Sequence, residues 1–188
     1  MATTREPVRL ALRKLWSDHV IWTRQYIVAA VAETPDAEAA AGRLLSNQDD
    51  IGQAVVPYYG PDAGKALTEL LKSHIMIAVD LVAAARSGDD AVFAQHDKRW
   101  SDNARDIARL LADANPHWPE ADVLDLLNLH LKLTKDQVVA RLTADWAADV
   151  KAFDDIFTEA MVIADTLYDG LVAQFPERFE PATSGALV

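Results

Sequence analysis

The sequence contains no cysteine. Disulfides, thiolate nucleophiles, zinc-thiolate sites and iron–sulfur clusters are excluded by that absence, and redox arguments leave the compartment open. Glycine and proline are scarce, at seven and eight in 188 residues. No useful stretch alternates apolar and polar residues with period two, so no sheet is expected. Basic charge is also short: 18 Lys and Arg stand against 29 Asp and Glu, a net charge of −11. That balance disfavours nucleic acid, which needs a clustered Lys/Arg surface, and anionic membrane surfaces for the same reason. Long apolar runs are missing too. Arg24 and Asp80 interrupt the most apolar stretches, well short of the ~18 residues a membrane span needs. Met1 to Trp16 carries Arg5, Arg9, Arg13 and Lys14 without the apolar core of a secretory signal. A cytoplasmic location is the resulting expectation.

What is present is a globular balance of 51% apolar and 25% charged residues, in a chain long enough for one well-filled domain spanning 1–188. Alanine is abundant and favours helix. Proline and glycine fall where helices should change. Pro7 suits a helix start, Thr34-Pro35-Asp36 reads as an N-cap, an N1 proline and a dipole-favoured acid, and Gly60-Pro61-Asp62 repeats that logic. Ser87-Gly88-Asp89 joins a C-cap glycine to a new start, and Asn115-Pro116-His117-Trp118-Pro119 is a break. The spacing predicts six helices, over about residues 7–33, 35–56, 62–87, 90–114, 119–142 and 143–175. The last two could also run together or break near Thr134, and residues 180–188 should fray. Leu12, Leu15, Trp16, Trp22 and Tyr26 form one apolar stripe, Leu67, Leu70, Leu71, Ile77 and Leu81 a second, and Val123, Leu126, Leu127, Leu133 and Val138 a third.

A repeat runs through this pattern. Leu15-Trp16-Ser17-Asp18-His19, Leu70-Leu71-Lys72-Ser73-His74 and Leu126-Leu127-Asn128-Leu129-His130 each place two large apolar residues four and three positions before a histidine. Arg43 to Ile51 and Arg99 to Ile107 share Arg, Asn, Asp and Ile in register, and Pro57, Pro116 and Pro176 are each followed closely by an aromatic residue. A period of about 56 residues implies three helical hairpins (about 7–60, 61–118 and 119–179) that share one core.

The functional question lies in the polar residues of that core. His19, His74 and His130 sit at heptad positions otherwise held by Leu12, Leu67 and Val123. Asn47, Asn103 and Glu159 face the same seam, with Asp18, Asp50, Asp106 and Asp145 near its edge. If the hairpins pack about one axis, these groups meet inside. Neutral imidazoles with one carboxylate suit a single divalent ion such as zinc, iron or manganese, and bundle cores commonly house such sites. His19, His74, His130 and Glu159 would be the ligands. The competing reading is a hydrogen-bonded polar layer that fixes register between otherwise interchangeable apolar helices. A ligand cavity lined by Trp16, Trp22, Trp100 and Trp146 is a further arrangement, although tryptophans at helical spacing usually fill cores.

Other motifs carry less. Gly60-Pro61-Asp62-Ala63-Gly64-Lys65-Ala66 superficially resembles a phosphate loop but is a residue short and lacks the Ser/Thr that holds magnesium. No Gly-x-Ser-x-Gly elbow occurs. Ser17 and Ser73 lie one or two residues from a histidine and should diverge from it around the helix. His96 and His117 are expected at exposed helix junctions. The acidic segment from Asp149 to Asp155 reads as a solvated face, since calcium-loop spacing is missing.

His19-Val20-Ile21-Trp22-Thr23-Arg24, Arg43 to Gly52, Pro57-Tyr58-Tyr59-Gly60, His74 to Asp80 and Arg141 to Val150 together resemble a family of uncharacterised bacterial helical-bundle proteins, with the likeness running from about Leu10 to Phe179. The resemblance implies a shared all-α fold and a cytoplasmic setting, and brings no catalytic residues with it. A looser similarity to ferritin-like bundles is undermined by the lack of any Glu-x-x-His motif. The functional expectation is a binding protein whose interior His/Asn/Glu cluster holds one divalent metal ion. The alternative is a structural or protein-interaction module in which the cluster is only a polar layer. A metal-dependent enzyme would need, in addition, an open coordination position and a cavity leading to it. The composition is compatible with a homo-oligomer and names no ligand.

Overall fold

The computed structural model describes residues 5–179, and the fraying expected of residues 180–188 lies outside them. Within that span the chain is all-α: α1 (Arg5–Ala32), α2 (Ala37–Ser87), α3 (Asp90–Ala114), α4 (Glu120–Leu142) and α5 (Trp146–Gln174), followed by a short 3₁₀ turn at Pro176–Arg178. No strand occurs among the described residues. No helix among them is long and apolar enough to cross a membrane.

Local chemistry accounts for most boundaries. Gly88 adopts φ 69°, and its N–H reaches the last carbonyls of α2 at Ala84 and Ala85. The Asp89 carboxylate then accepts from the Val92 N–H to start α3, and Asp145 does the same for the Ala148 N–H of α5. The α4–α5 break therefore falls at residues 143–145 and not near Thr134, whose hydroxyl donates to the His130 carbonyl within α4.

Five helices stand where six were expected. Residues 35–56 and 62–87 belong to one element, α2, which carries Pro57 and Pro61 inside it. The predicted break survives as a kink at one residue, Gly60, with φ 83° and ψ 171°. That backbone region is essentially confined to glycine. The two arms of α2 approach closely beyond the kink: a Cβ on Gly52 would lie 2.7 Å from the Gly64 carbonyl oxygen, and one on Gly64 would lie 2.8 Å from that of Gly52. The start of α2 is also shifted, to Ala37 after an Asp36 N-cap, with Thr34 bonded to the Asp36 carboxylate.

The helices follow one another around a closed ring, each packing on the next and α5 returning to α1. Inward-facing residues from all five fill the middle. The largest apolar cluster includes Leu12, Leu67, Leu71, Trp100, Ile107, Trp118, Leu127 and Leu171. Trp118 is held there by donating its indole N–H to the Thr166 carbonyl. Burial of such side chains contributes roughly 1.5–3 kcal/mol each. At mid-height the interior becomes polar, and His19, His130 and Glu159 fall near the middles of α1, α4 and α5.

Candidate functional site

Three helices deliver the three imidazoles: α1 brings His19, the second arm of α2 brings His74, and α4 brings His130. All are at most 4% exposed. The rings converge. The His19 and His130 centroids are 5.6 Å apart and those of His74 and His130 are 6.4 Å apart. All three line one cavity of about 20 Å³, with Leu44, Trp100, Thr134 and Val138 among its other walls. Trp16 packs at 5.5 Å from His19 and Trp100 at 5.0 Å from His74.

Each imidazole is anchored through Nδ1 to a residue 29 positions further along. His74 Nδ1 lies 2.9 Å from Asn103 Oδ1, His130 Nδ1 lies 3.0 Å from Glu159 Oε2, and His19 Nδ1 lies 3.2 Å from Gln48 Nε2. Gln48 was not among the residues singled out from the sequence, which favoured Asn47. The two neighbours divide the work that Asn103 does alone. Asn103 accepts from His74 and donates to the Leu70 carbonyl at 3.0 Å. In the first unit Asn47 donates to the Leu15 carbonyl at 3.1 Å, while Gln48 takes the imidazole.

Burial makes His19 and His74 poor bases. It pushes His19 well below its ordinary value, with the nearby His130 and His74 adding to the effect. His74 is pushed down to about 3 by burial and then by His130. Both are neutral at ordinary pH, so each carries a single ring proton whose position its hydrogen bonds decide. Some polar atoms around the layer remain unpartnered, namely Gln48 Oε1, Glu159 Oε1 and the indole N–H groups of Trp16 and Trp100.

The remaining candidates disperse. Asp50 and Asp106 are exposed, with Arg43 and Arg109 respectively 3.8 Å away. Each stands three positions beyond Asn47 or Asn103, about 60° around the helix, at the solvent-exposed flank of the inward face. Asp18 pairs with Lys14 and Arg43, and Asp145 is occupied as a helix cap. The tryptophan-lined cavity is not formed either: Trp146 is 56% exposed, and Trp16 and Trp100 border different cavities. The cavity beside Trp16 is lined by residues such as Leu12, Ile51, Leu71 and Leu127 and measures about 40 Å³, far below the several hundred Å³ of a small-molecule pocket. His117 is exposed as expected, whereas His96 is half-buried in the first half of α3, close to Arg99 and Asp80. Ser73 is exposed, and Ser17 is half-buried against the Met161 sulfur.

A second buried polar group was missed altogether. Asp149, expected on a solvated face, is 2% exposed. Arg24 reaches across from α1 to hold its carboxylate with two nitrogens at 2.8 and 2.9 Å. Gln137 and Arg141 of α4 complete the set, each at 3.2 Å. Burial pushes the Asp149 carboxyl up, but the bonds from Arg24, Gln137 and Arg141 outweigh it, and the net shift is downward.

Among the described residues no group of three or more His, Asp or Glu side chains is placed to hold a metal ion. The Glu159 oxygen nearest the cluster is already committed to His130. No protein-family model, curated protein or solved structure matches the chain.

Proposed function

We propose that this protein is a structural or protein-interaction module built from three helical hairpins, in which the His/Asn/Gln/Glu cluster is a hydrogen-bonded layer that fixes how the hairpins seat against one another. The observation that carries this reading is the repeated 29-residue pairing. His19 with Gln48, His74 with Asn103 and His130 with Glu159 each close a hydrogen bond at Nδ1. Each pair locks one register, because a helix slipped by a turn would leave both partners buried and unsatisfied, at about 1–3 kcal/mol per group. The cavities beside Trp16 and between the histidines, at about 40 and 20 Å³, are too small to hold a small-molecule ligand, which leaves partners to be met on the outer helix faces. The resemblance to bacterial helical-bundle proteins and a cytoplasmic setting accord with this reading and supply no chemistry of their own.

A second reading follows from a different feature of the same cluster. The three rings surround one cavity, and none of their Nε2 atoms has a hydrogen-bond partner among the described residues. An Nδ1 fixed by an amide or carboxylate is the outer-shell arrangement that metal-binding histidines use. In this reading His19, His74 and His130, with Glu159 behind them, close on one zinc, iron or manganese ion.

Elemental analysis of untagged protein purified without chelator separates the two. The layer reading expects metal-free protein whose thermal midpoint does not rise when zinc is added. It also expects His74→Leu to destabilise the fold, since Asn103 is then left unpaired. Near-stoichiometric metal, lost in variants of His19, His74 or His130, would overturn it and establish the second reading.

A further inference from the structure

We infer that the cavity between the three imidazoles is a binding site for one water molecule, and that Gln48 is the residue that makes it select water over a divalent metal ion. The inference rests on the hydrogen-bonded-layer reading and adds to it a ligand and a selectivity residue.

Amide orientations fix where each imidazole carries its proton. Asn103 Nδ2 donates to the Leu70 carbonyl, which leaves Oδ1 as the atom facing His74. An oxygen can only accept there, so His74 carries its proton on Nδ1 and presents a bare lone pair at Nε2. Gln48 is fixed in the opposite sense. Its nitrogen lies 2.8 Å from the Leu44 carbonyl and 3.3 Å from Asn47 Oδ1. Asn47 is itself oriented by donating to Leu15. Turning the Gln48 amide over would place its oxygen against two oxygens. The Leu44 carbonyl takes one of the two Nε2 hydrogens and the other is shared between Asn47 Oδ1 and His19 Nδ1; an Nδ1–H would meet no acceptor there, so His19 carries its proton on Nε2.

The three imidazoles are consequently unlike. At Nε2, His19 offers a donor and His74 an acceptor. His130, whose Nδ1–H donates to the Glu159 carboxylate, offers an acceptor. A water molecule satisfies this set. It accepts from His19 and donates to His74 and His130. The cavity, at about 20 Å³, is just large enough for one water, and three bonds are what a buried water typically makes. A metal ion needs three lone pairs. It would require His19 to move its proton to Nδ1, directly against the Gln48 N–H group. The unpartnered Gln48 Oε1 cannot relieve that clash without giving up the bonds to Leu44 and Asn47.

Changing Gln48→Glu replaces the donor by an acceptor of the kind that Glu159 provides for His130, with the carboxylate turned away from the Leu44 carbonyl and Asn47 Oδ1 that the amide nitrogen meets. His19 Nδ1–H would then be held as His74 and His130 are, and all three Nε2 lone pairs would be available. Nitrogen-15 NMR of the native protein should show His19 protonated on Nε2 and His74 on Nδ1. Zinc titration should show binding by Gln48→Glu at least tenfold tighter than by the native chain, in line with the 10–100-fold influence of outer-shell partners. A high-resolution crystal structure of the native chain should place one water within hydrogen-bond distance of the three Nε2 atoms. A His19 protonated on Nδ1, a native chain that binds zinc as tightly as Gln48→Glu, or a crystal structure without that water would each overturn the inference. The tautomer and water measurements use the native chain and stand even if the variant does not fold. Purification of native protein with stoichiometric metal would instead defeat the underlying layer reading. The wrong tautomer in metal-free protein defeats only the role of Gln48.

Discussion

One buried polar group of this bundle lies at mid-helix and a second lies toward the α4–α5 turn, and the two are built on opposite principles. The histidine layer relies on neutral groups: His19 and His74 are desolvated until they stay uncharged, and amides complete their hydrogen bonds. The Asp149 group relies on charge: one buried carboxylate is held by Arg24, Arg141 and Gln137. The difference follows from what each group can reach. Arg24 and Arg141 are 23% and 17% exposed along their side chains, so their positive ends stay near water while they neutralise the acid. The histidines are surrounded by Trp16, Trp100, Leu44 and Val138, where a charge would be severely penalised. A charged group therefore ties α1 to the α4–α5 junction, and a neutral one sets register deeper inside.

The largest effect should come from breaking the charged group on one side only. Asp149→Ala leaves two partly buried arginines facing each other without their anion, and removing one partner of a buried pair costs about 3–5 kcal/mol. Urea denaturation should show a midpoint shift of that order. A loss below about 1 kcal/mol would mean that Arg24 and Arg141 relax into solvent and that the group is peripheral.

Acid separates the two groups by where each one fails. For His19 and His74 the folded value lies below the unfolded value of about 6.5. Above that pH both states are neutral and nothing changes. As pH falls below it the unfolded chain binds protons that the folded chain refuses, and stability drops by about 1.4 kcal/mol per pH unit for each histidine, for His74 down to about 3. Asp149 acts in another window. Its contribution is present above the unfolded carboxylate value of about 3.9 and is lost as pH falls through its lower folded value. Denaturation curves between pH 7 and 4.5 should therefore report the histidines, with an unchanged slope in Asp149→Ala and a reduced one in His74→Leu. Equal slopes in both variants would contradict the assignment.

A smaller loss, about 1–3 kcal/mol, is expected for Asn103→Leu, which strands His74 Nδ1–H and the Leu70 carbonyl. Combining it with His74→Leu should recover part of the loss, because the double variant leaves fewer unsatisfied groups. Strict additivity in that cycle would show that the two side chains are not coupled.

Helical periodicity made the all-α class legible, and the histidines stood out because they occupy apolar stripes. Two features escaped for definite reasons. His19 and His74 are 55 residues apart, whereas Asn47 and Asn103 are 56 apart. Aligning the second helices on the shared Arg, Asn, Asp and Ile therefore hid the one-residue offset that gives the imidazole to Gln48. Counting 29 residues from each histidine would have found it. Asp149 had no such signal. It stands at the head of an acidic run, and its partner Arg24 is 125 residues away, a distance no local pattern spans. The kink at Gly60 was legible as a break but not as a bend within one helix, since Pro57 and Pro61 both suggest a stop.

The smallest expected effect tests the most visible part of the repeat. Asp50 and Asp106 recur in register beside Asn47 and Asn103, and the sequence pattern puts them near the edge of the seam. Their side chains are 55% and 56% exposed, with arginines no closer than 3.8 Å, so neither is desolvated nor tightly bonded. Asp50→Asn and Asp106→Asn should each change unfolding free energy by less than about 0.5 kcal/mol, as ordinary surface substitutions do. Neither should alter the His19 or His74 tautomers. A larger loss would mean that these carboxylates meet something the isolated chain does not present, and the outer faces of α2 and α3 would then be the place to look for a partner.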